Sequence, residues 1–282
     1  MISDRLINGS QRLWMQPDWP RFAGDGWEAR IMQLHLTDRL HKKQGRSIVR
    51  WQLRAGSEQL TVYLKRHHRL PRWLGWLSIL FPGRPWSPAL QEWHHLQQAR
   101  QLGVPVPEAV AAGEMTKTWG TFQSFLVVKE LEGMLPLHEA IPLAAKRLSG
   151  GAFANWKRGL LTEMARLARL LHERAWFHKD LYLCHFYVPE NDIRDDVGDW
   201  KNRVYLIDFH RLGRHPWTKW FWQVKDLAQL LYSSQFEGIS NEDRREFWWQ
   251  YTGGRSKPWL ARLVRWKAQR YRRHNRSAGA RS

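Results

Sequence analysis

Hydrophobic positions change period several times along the chain. Past Ile31, Met32, Leu34 and Leu36 alternate with polar residues, residues 42–47 surround Gly45, and Ile48-Val49-Arg50-Trp51-Gln52-Leu53 follows. This alternation predicts strand, turn, strand, and Leu60-Thr61-Val62-Tyr63-Leu64-Lys65, after the turn signal Ala55-Gly56-Ser57, predicts a third strand. The period lengthens over residues 89–102, where Leu90, Trp93, Leu96 and Ala99 share one helical face and Gly103 and Pro105 mark the stop. Phe125-Leu126-Val127-Val128 reads as a buried strand running into Lys129-Glu130-Leu131-Glu132-Gly133. After Pro142 the pattern is helical: Leu160, Leu161, Met164, Leu167, Ala168 and Leu171 lie opposite Glu163, Arg166, Arg169 and Glu173. Residues 221–234 repeat it, with Val224, Leu227, Ala228 and Leu231 inward and the acid Asp226 among them. From Pro258, Trp259, Leu263 and Trp266 alternate with Arg262, Arg265, Lys267, Arg270, Arg272 and Arg273, which predicts a basic amphipathic helix and tail. Strands first and helices later give an α+β class: an N-terminal antiparallel sheet with one helix, then a mainly helical lobe.

Three stretches break these patterns. Residues 1–30 carry scattered Trp, Pro and Gly without periodicity and read as an N-terminal extension. Residues 66–88 form a basic, aromatic insertion, with His67, His68, Arg69, Arg72, Trp73, Trp76, Phe81, Arg84 and Trp86. Pro71, Pro82, Pro85 and Pro88 argue against one long helix there, leaving a solvated surface loop or a membrane-contacting segment. Residues 189–203, with Asp192, Asp195, Asp196 and Asp199, lack the closing Glu of a calcium loop and read as a solvated insertion. The expected organisation is extension 1–30, N-terminal lobe 31–131, C-terminal lobe 132–257, and basic helix with tail 258–282.

Composition narrows the partners. Lys and Arg number 45 against 26 Asp and Glu, a net +19 that calls for an anionic partner: phosphate, nucleic acid or a membrane surface. Nineteen Trp at a mean hydropathy of −0.60 suit headgroup level at a bilayer and also base stacking. One Cys excludes an internal disulfide and fits a reducing compartment. The N-terminus, with Asp4, Arg5, Asn8 and Gly9, lacks the apolar core of a signal peptide. The longest apolar run, residues 73–81, is broken by Gly75 and Ser78 and falls short of the roughly 20 residues a spanning helix needs. The expectation is a cytosolic chain lying on a membrane without crossing it.

The candidate chemistry sits in His178-Lys179-Asp180-Leu181-Tyr182-Leu183-Cys184-His185-Phe186-Tyr187-Val188, answered by Val204-Tyr205-Leu206-Ile207-Asp208-Phe209. His-x-Asp opens a loop into one apolar strand, and an Asp closes another. Two carboxylates on strand-borne loops suit phosphoryl transfer from ATP, one near the acceptor hydroxyl and one holding magnesium. By resemblance to a protein kinase, Lys65 would neutralise the phosphates, Glu92 would pair with it, the hairpin at Gly45 would cover them, and backbone about Glu130 would meet the adenine edge. The adjacent pairs His67-His68 and His94-His95 show no zinc-type spacing with Cys184.

The order Lys65, Glu92, hinge, His178-x-Asp180, Asp208, Asp226 resembles that of protein kinases, with His185 where the common pattern has Asn. Together with Gly103-Val104-Pro105-Val106-Pro107-Glu108 and Lys225-Asp226-Leu227-Ala228, the Tyr182-x-Cys184-His185 run resembles the lipopolysaccharide kinase (Kdo/WaaP) family over about residues 31–235. The resemblance implies a two-lobed protein-kinase-like fold, ATP and Mg2+, and transfer to a lipopolysaccharide inner-core sugar, heptose ahead of Kdo, at the inner face of the inner membrane. By position, Asp180, His178 and His185 are the expected catalytic group. Lys65, Glu92, Gly45 and Glu130 are the expected cofactor contacts, and Asp208 with His185 the metal site. The acceptor would be a core oligosaccharide-lipid on an anionic membrane surface. A membrane-associated pseudokinase scaffold is the first alternative and a basic nucleic-acid-binding protein the second. Nucleic acid is not expected as a partner, because binding it requires none of this ionisable set.

Overall fold

The computed structural model describes Arg5 and residues 9–34, 39–43, 45–117, 120–194 and 196–279; Leu36, Asp195 and residues 280–282 lie outside them. The chain divides into two compact units, residues 1–97 with 107–131, and residues 98–106 with 132–282.

The first unit is built on an antiparallel sheet of β1 (Ser10–Met15), β2 (Arg39–Lys43), β3 (Arg46–Ala55), β4 (Glu58–Leu70), β5 (Ala109–Thr116) and β6 (Phe122–Lys129), ordered β1-β5-β6-β4-β3-β2. Ala55 pairs with Glu58, leaving Gly56-Ser57 as a two-residue turn that needs the positive φ of Gly56, +64°. Val49, Leu53, Val62, Leu64, Phe125 and Val127 form the core.

Residues 10–30 are part of this unit, where an extension was expected. They supply β1 and the helices α1 (Trp19–Ala23) and α2 (Trp27–Arg30), whose Trp19 and Trp27 meet edge to face at 5.6 Å in the core. Burying an aromatic ring of this size contributes on the order of 2–3 kcal/mol. Helices of five and four residues are too short to display a helical period. The strand expected from Ile31 is instead a turn at residues 31–33, and the first strand of the hairpin is β2. Met32 and Leu34 still pack against the core, so their alternation recorded burial without recording a strand.

Residues 66–88 also differ from a plain insertion. β4 continues to Leu70, and the buried Arg66 donates to the carbonyl oxygens of Ile31 at 3.1 Å and Leu34 at 2.8 Å. Helix α3 (Arg72–Leu80) follows; Gly75, Ser78 and Ile79 are buried, while Trp73, Trp76, Leu80 and Phe81 are exposed. Helix α4 (Pro88–Gln101) carries Glu92.

The second unit contains β7 (Met134–Pro136), α5 (Leu137–Arg147), α6 (Gly150–Glu173), β8 (Trp176–Phe177), β9 (Phe186–Pro189), β10 (Tyr205–Leu206), β11 (Gly213–Arg214), α7 (Lys219–Ser233), α8 (Asn241–Thr252) and α9 (Pro258–Gly279). Its short strands pair as β10-β9-β7 and β11-β8, which fixes the loops at either end of β9 and β10. The stretch expected as a solvated insertion is so in part: Asp196 and Asp199 are exposed, while Asp192, Ile193, Val197 and Trp200 are buried. Trp200 lies edge to face with Trp156 at 5.5 Å, in space that a Cβ on Gly159 would fill, and Arg203 holds buried Asp192 at 2.9 Å. Leu260, Val264 and Ala268 bury one face of α9 and leave Trp259 and Trp266 exposed. Among the described residues no helix is long and apolar enough to cross a membrane.

Candidate active site

In the first unit, strand alternation turns Val62 and Leu64 into the core and Lys65 to the opposite face. There Lys65 Nζ meets Glu92 Oε1 at 2.6 Å; the Glu92 side chain is only 5% exposed, so each charge depends on the other. Gly45, φ +75°, ends the β2–β3 turn, and its carbonyl oxygen accepts from the His68 N–H at 2.8 Å. Glu130 is differently employed from the expectation. Its carboxylate accepts two hydrogen bonds of 2.7 Å from Arg50 and one of 2.8 Å from the Tyr63 hydroxyl. The Arg50 hydrogen bond holds this carboxyl below its ordinary value against the opposing effect of burial, and Tyr63 adds to it. The N–H groups of Lys129 and Glu130 are committed to the carbonyls of Glu108 at 2.8 Å and Thr61 at 2.9 Å. Glu130 is therefore a strut of the sheet, and neither N–H is a donor for a base.

In the second unit the loops that carry Asp180 and Asp208 have an unusual backbone. Lys179 and Asp208 both take φ +67°, a conformation that costs a non-glycine residue about 1–2 kcal/mol. Helix α7 supports the Asp180 loop from three successive turns. Fully buried Asp226 accepts from the backbone N–H of His178 at 2.9 Å and of Lys179 at 2.8 Å. Gln229 accepts from the Leu181 N–H at 3.2 Å, and the Ser233 hydroxyl from the Leu183 N–H at 2.8 Å. Spacing of three and four residues puts these acceptors on one helical face. His178, expected among the catalytic residues, is wholly buried. Its Nε2 donates to the Ile207 carbonyl at 2.9 Å, tying the loop to the residue before Asp208. Burial drives its pKa below the ordinary histidine value, with Asp226 acting the other way, so the ring stays neutral. It positions the loop without reaching a substrate.

Asp180 and Asp208 converge around two residues that the sequence reading overlooked. His210 donates from Nδ1 to Asp208 Oδ1 at 2.6 Å, and its Nε2 lies 3.9 Å from Asp180 Oδ2. Arg211 Nη1 lies 3.2 Å from both Asp180 oxygens, and Gln229 Nε2 reaches Oδ1 at 3.4 Å. A single 3-10 turn, Phe209–Arg211, swings both back onto the carboxylates; their adjacency to Asp208 was the available signal. His185 completes the group: Nδ1 donates to the Asp180 carbonyl at 2.7 Å, and Nε2 stands 3.7 Å from Asp208 Oδ2. Burial acts to lower its pKa, but Cys184, the Asp180 carbonyl and Asp208 together raise it.

Asp208 suits magnesium. Its carboxylate is one-third exposed and offers hard oxygens, and magnesium is commonly held by one or two carboxylates plus substrate phosphates. His185 does not suit the metal role expected of it. Imidazole nitrogen ranks poorly for magnesium, and the ring's Nε2 faces Asp208 Oδ2 at 3.7 Å. Among the described residues no group of three or more His, Cys, Asp or Glu is arranged to hold an ion.

Residues 79–251 match the lipopolysaccharide kinase (Kdo/WaaP) family. The chain belongs to this family. It is 29% identical over 183 residues to the lipopolysaccharide core heptose(I) kinase WaaP of Pseudomonas aeruginosa, spanning 64% of this chain and 66% of the relative. To the same enzyme of Escherichia coli K12 it is 26% identical over 165 residues, spanning 58% and 59%. A 3-deoxy-D-manno-octulosonic acid kinase of Haemophilus influenzae is 24% identical over 147 residues, spanning 52% and 53%. A solved structure, WaaP in complex with acyl carrier protein, superposes with a TM-score of 0.67 at 24% identity, covering 93% of this chain and 98% of that one. The fold is thus the two-lobed, kinase-like α+β arrangement of this family.

Proposed function

We propose that this member of the Kdo/WaaP family transfers the γ-phosphoryl group of ATP to a hydroxyl of a lipopolysaccharide inner-core sugar, heptose ahead of Kdo. The observation that carries the reading is the pairing of Asp180 and Asp208 around His210 and Arg211 on a loop braced by Asp226. Asp180, 16% exposed, is the group to orient the acceptor hydroxyl and accept its proton, a contribution that is mostly positional. Lys65, held by Glu92, offsets charge on the donor phosphates. Magnesium, held by Asp208, would supply charge neutralisation on those phosphates. His178, Gln229 and Ser233 keep the loop in place without entering the chemistry. Heptose is put first because the heptose kinases named above match at 29% and 26% identity, against 24% for the 3-deoxy-D-manno-octulosonic acid kinase.

The acceptor is lipid-linked, which gives the exposed face of α3 a purpose. Trp73, Trp76, Leu80 and Phe81 stand outward beside Arg72 and Arg84, a pattern for peripheral contact with an anionic leaflet. The position is the inner face of the inner membrane. A protein partner of the acyl carrier class is proposed from the solved relative. The deciding assay offers labelled ATP with intact core lipopolysaccharide, heptose-deficient lipopolysaccharide, Kdo-lipid A and a generic protein. Label confined to the heptose-bearing core is the expected outcome. Equal label in Kdo-lipid A moves the acceptor to Kdo, and label in protein alone defeats the sugar-kinase reading.

A further inference from the structure

Beside Asp180, three cationic side chains gather with too few anions to neutralise them. Lys179 precedes the carboxylate, and Lys225 reaches from α7 to donate from Nζ to the Lys179 carbonyl. Arg211 sets Nη1 against both Asp180 oxygens. The two ammonium groups lie over one indole, Lys179 Nζ 5.0 Å and Lys225 Nζ 5.5 Å from the centre of the Trp222 ring. Among the described residues, the carboxylates that act on both lysines are those of Asp180 and Asp226. Asp226 is fully buried and already taken by two backbone N–H groups and His172. Asp180 is shared with Arg211 and Gln229.

The crowding has a measurable sign. Burial first, and the Arg211 charge second, draw both lysines below the ordinary lysine value; the carboxylates oppose this without overcoming it. An arriving anion relieves that penalty. Arg211 is half exposed, so its planar fork can engage a carboxylate or phosphate while the ammonium groups act as point charges.

We propose that Lys179, Lys225 and Arg211 form an anion subsite that takes a carboxylate or phosphate group of the acceptor saccharide and thereby aligns its hydroxyl on Asp180. The subsite rests on the sugar-kinase reading for its ligand and gives a physical reason for an anionic acceptor. A neutral sugar gains nothing from these three groups.

The test uses the full chain with Lys225→Gln and the rescue variant Lys225→Arg. With core lipopolysaccharide as acceptor, the Gln variant raises the acceptor KM about tenfold, the loss of one charge-assisted contact, while the KM for ATP stays put and Arg restores most of the loss. Carboxyl-methylated and phosphatase-treated acceptors separate the sources: the charge whose removal abolishes the difference between wild type and variant is the one held. A difference that survives both treatments, or a fall in kcat with acceptor KM unchanged, overturns the subsite in favour of a structural lysine. Calorimetry with free 3-deoxy-D-manno-octulosonic acid and with a heptose phosphate decides it without turnover. Wild type binds at least one of them, and the Gln variant binds that one about tenfold more weakly. Binding of neither, or equal binding by both proteins, overturns the proposal. Wild type that binds a probe yet labels no core lipopolysaccharide overturns the kinase reading and leaves the subsite standing.

Discussion

Lys65 with Glu92 and Asp180 with Asp208 are both pairs of charged side chains, but they are held in different ways. Lys65 and Glu92 sit on a strand and a helix whose geometry is set by hydrophobic alternation and packing, and they meet directly at 2.6 Å. Asp180 and Asp208 stand on loops with left-handed residues and owe their positions to side chains remote in sequence: Asp226, Gln229 and Ser233 below, His178 between, His210 and Arg211 across. A site on regular elements is cheap to place and local in its requirements. One on irregular backbone must be over-determined, because each left-handed residue returns to an ordinary conformation once its restraint is removed.

The largest effects therefore fall on the loop. Asp208→Ala abolishes turnover, since the proposed magnesium ligand is lost, and Asp180→Ala lowers it about a hundredfold or more, as expected for a general base. Steady-state kinetics on protein with an unchanged circular dichroism spectrum checks both. Full activity in Asp208→Ala removes the site assignment.

Next comes the brace. Asp226→Ala leaves the buried N–H groups of His178 and Lys179 unsatisfied and removes one of the two partners of His172, leaving Tyr251, a loss of roughly 3–5 kcal/mol. Urea denaturation measures it, with activity falling in the same variant. A stable Asp226→Ala protein with a working loop makes the comparison between the two pairs untenable.

The same contrast explains what the sequence disclosed. Lys65 and Glu92 were legible because alternation and a three-to-four-residue period place them, and Asp180 and Asp208 because short motifs end strands. Asp226 stood out as an acid on an apolar face. His210 and Arg211 did not, since only a three-residue turn brings them back onto the carboxylates. The employment of the Glu130 carboxylate was not legible because its partners Arg50 and Tyr63 are 80 and 67 residues away. Residues 10–30 were opaque for another reason: one strand and two very short helices bury two Trp without any period long enough to see. Trp200 was hidden by its receptor, the absent side chain of Gly159.

A smaller effect sharpens the comparison from the other side. Lys65→Met lowers kcat/KM for ATP at least about tenfold, and it destabilises the protein by roughly 1–3 kcal/mol because Glu92 is left buried without its cation. Replacing both, Lys65→Met with Glu92→Leu, returns most of that stability while activity stays low. No such double replacement is expected to rescue the Asp226 brace, whose donors belong to the backbone. Denaturation midpoints of the four proteins in the cycle settle the matter; a double variant no more stable than Lys65→Met shows that the pair is as structurally embedded as the loop.

The smallest expected effect concerns Glu130 and pH. Its carboxyl lies below the ordinary value of 4.5 in the folded protein because Arg50 hydrogen-bonds the charged form, with burial opposing and Tyr63 assisting. A depressed carboxyl contributes its stability in full above the unfolded pKa and loses it as pH falls through the folded one. Glu130→Gln therefore costs stability at neutral pH, by no more than about 1 kcal/mol because the Arg50 side chain is one-third exposed and screened. The cost shrinks as the pH drops below 4.5, where wild type gives up the same interaction. Thermal melts of the two proteins at pH 7 and at successive steps below pH 4.5 read this as converging Tm values. A gap that stays constant down the series assigns the Glu130 contribution to its neutral hydrogen bonds and packing, and removes the charge from the account of this strut.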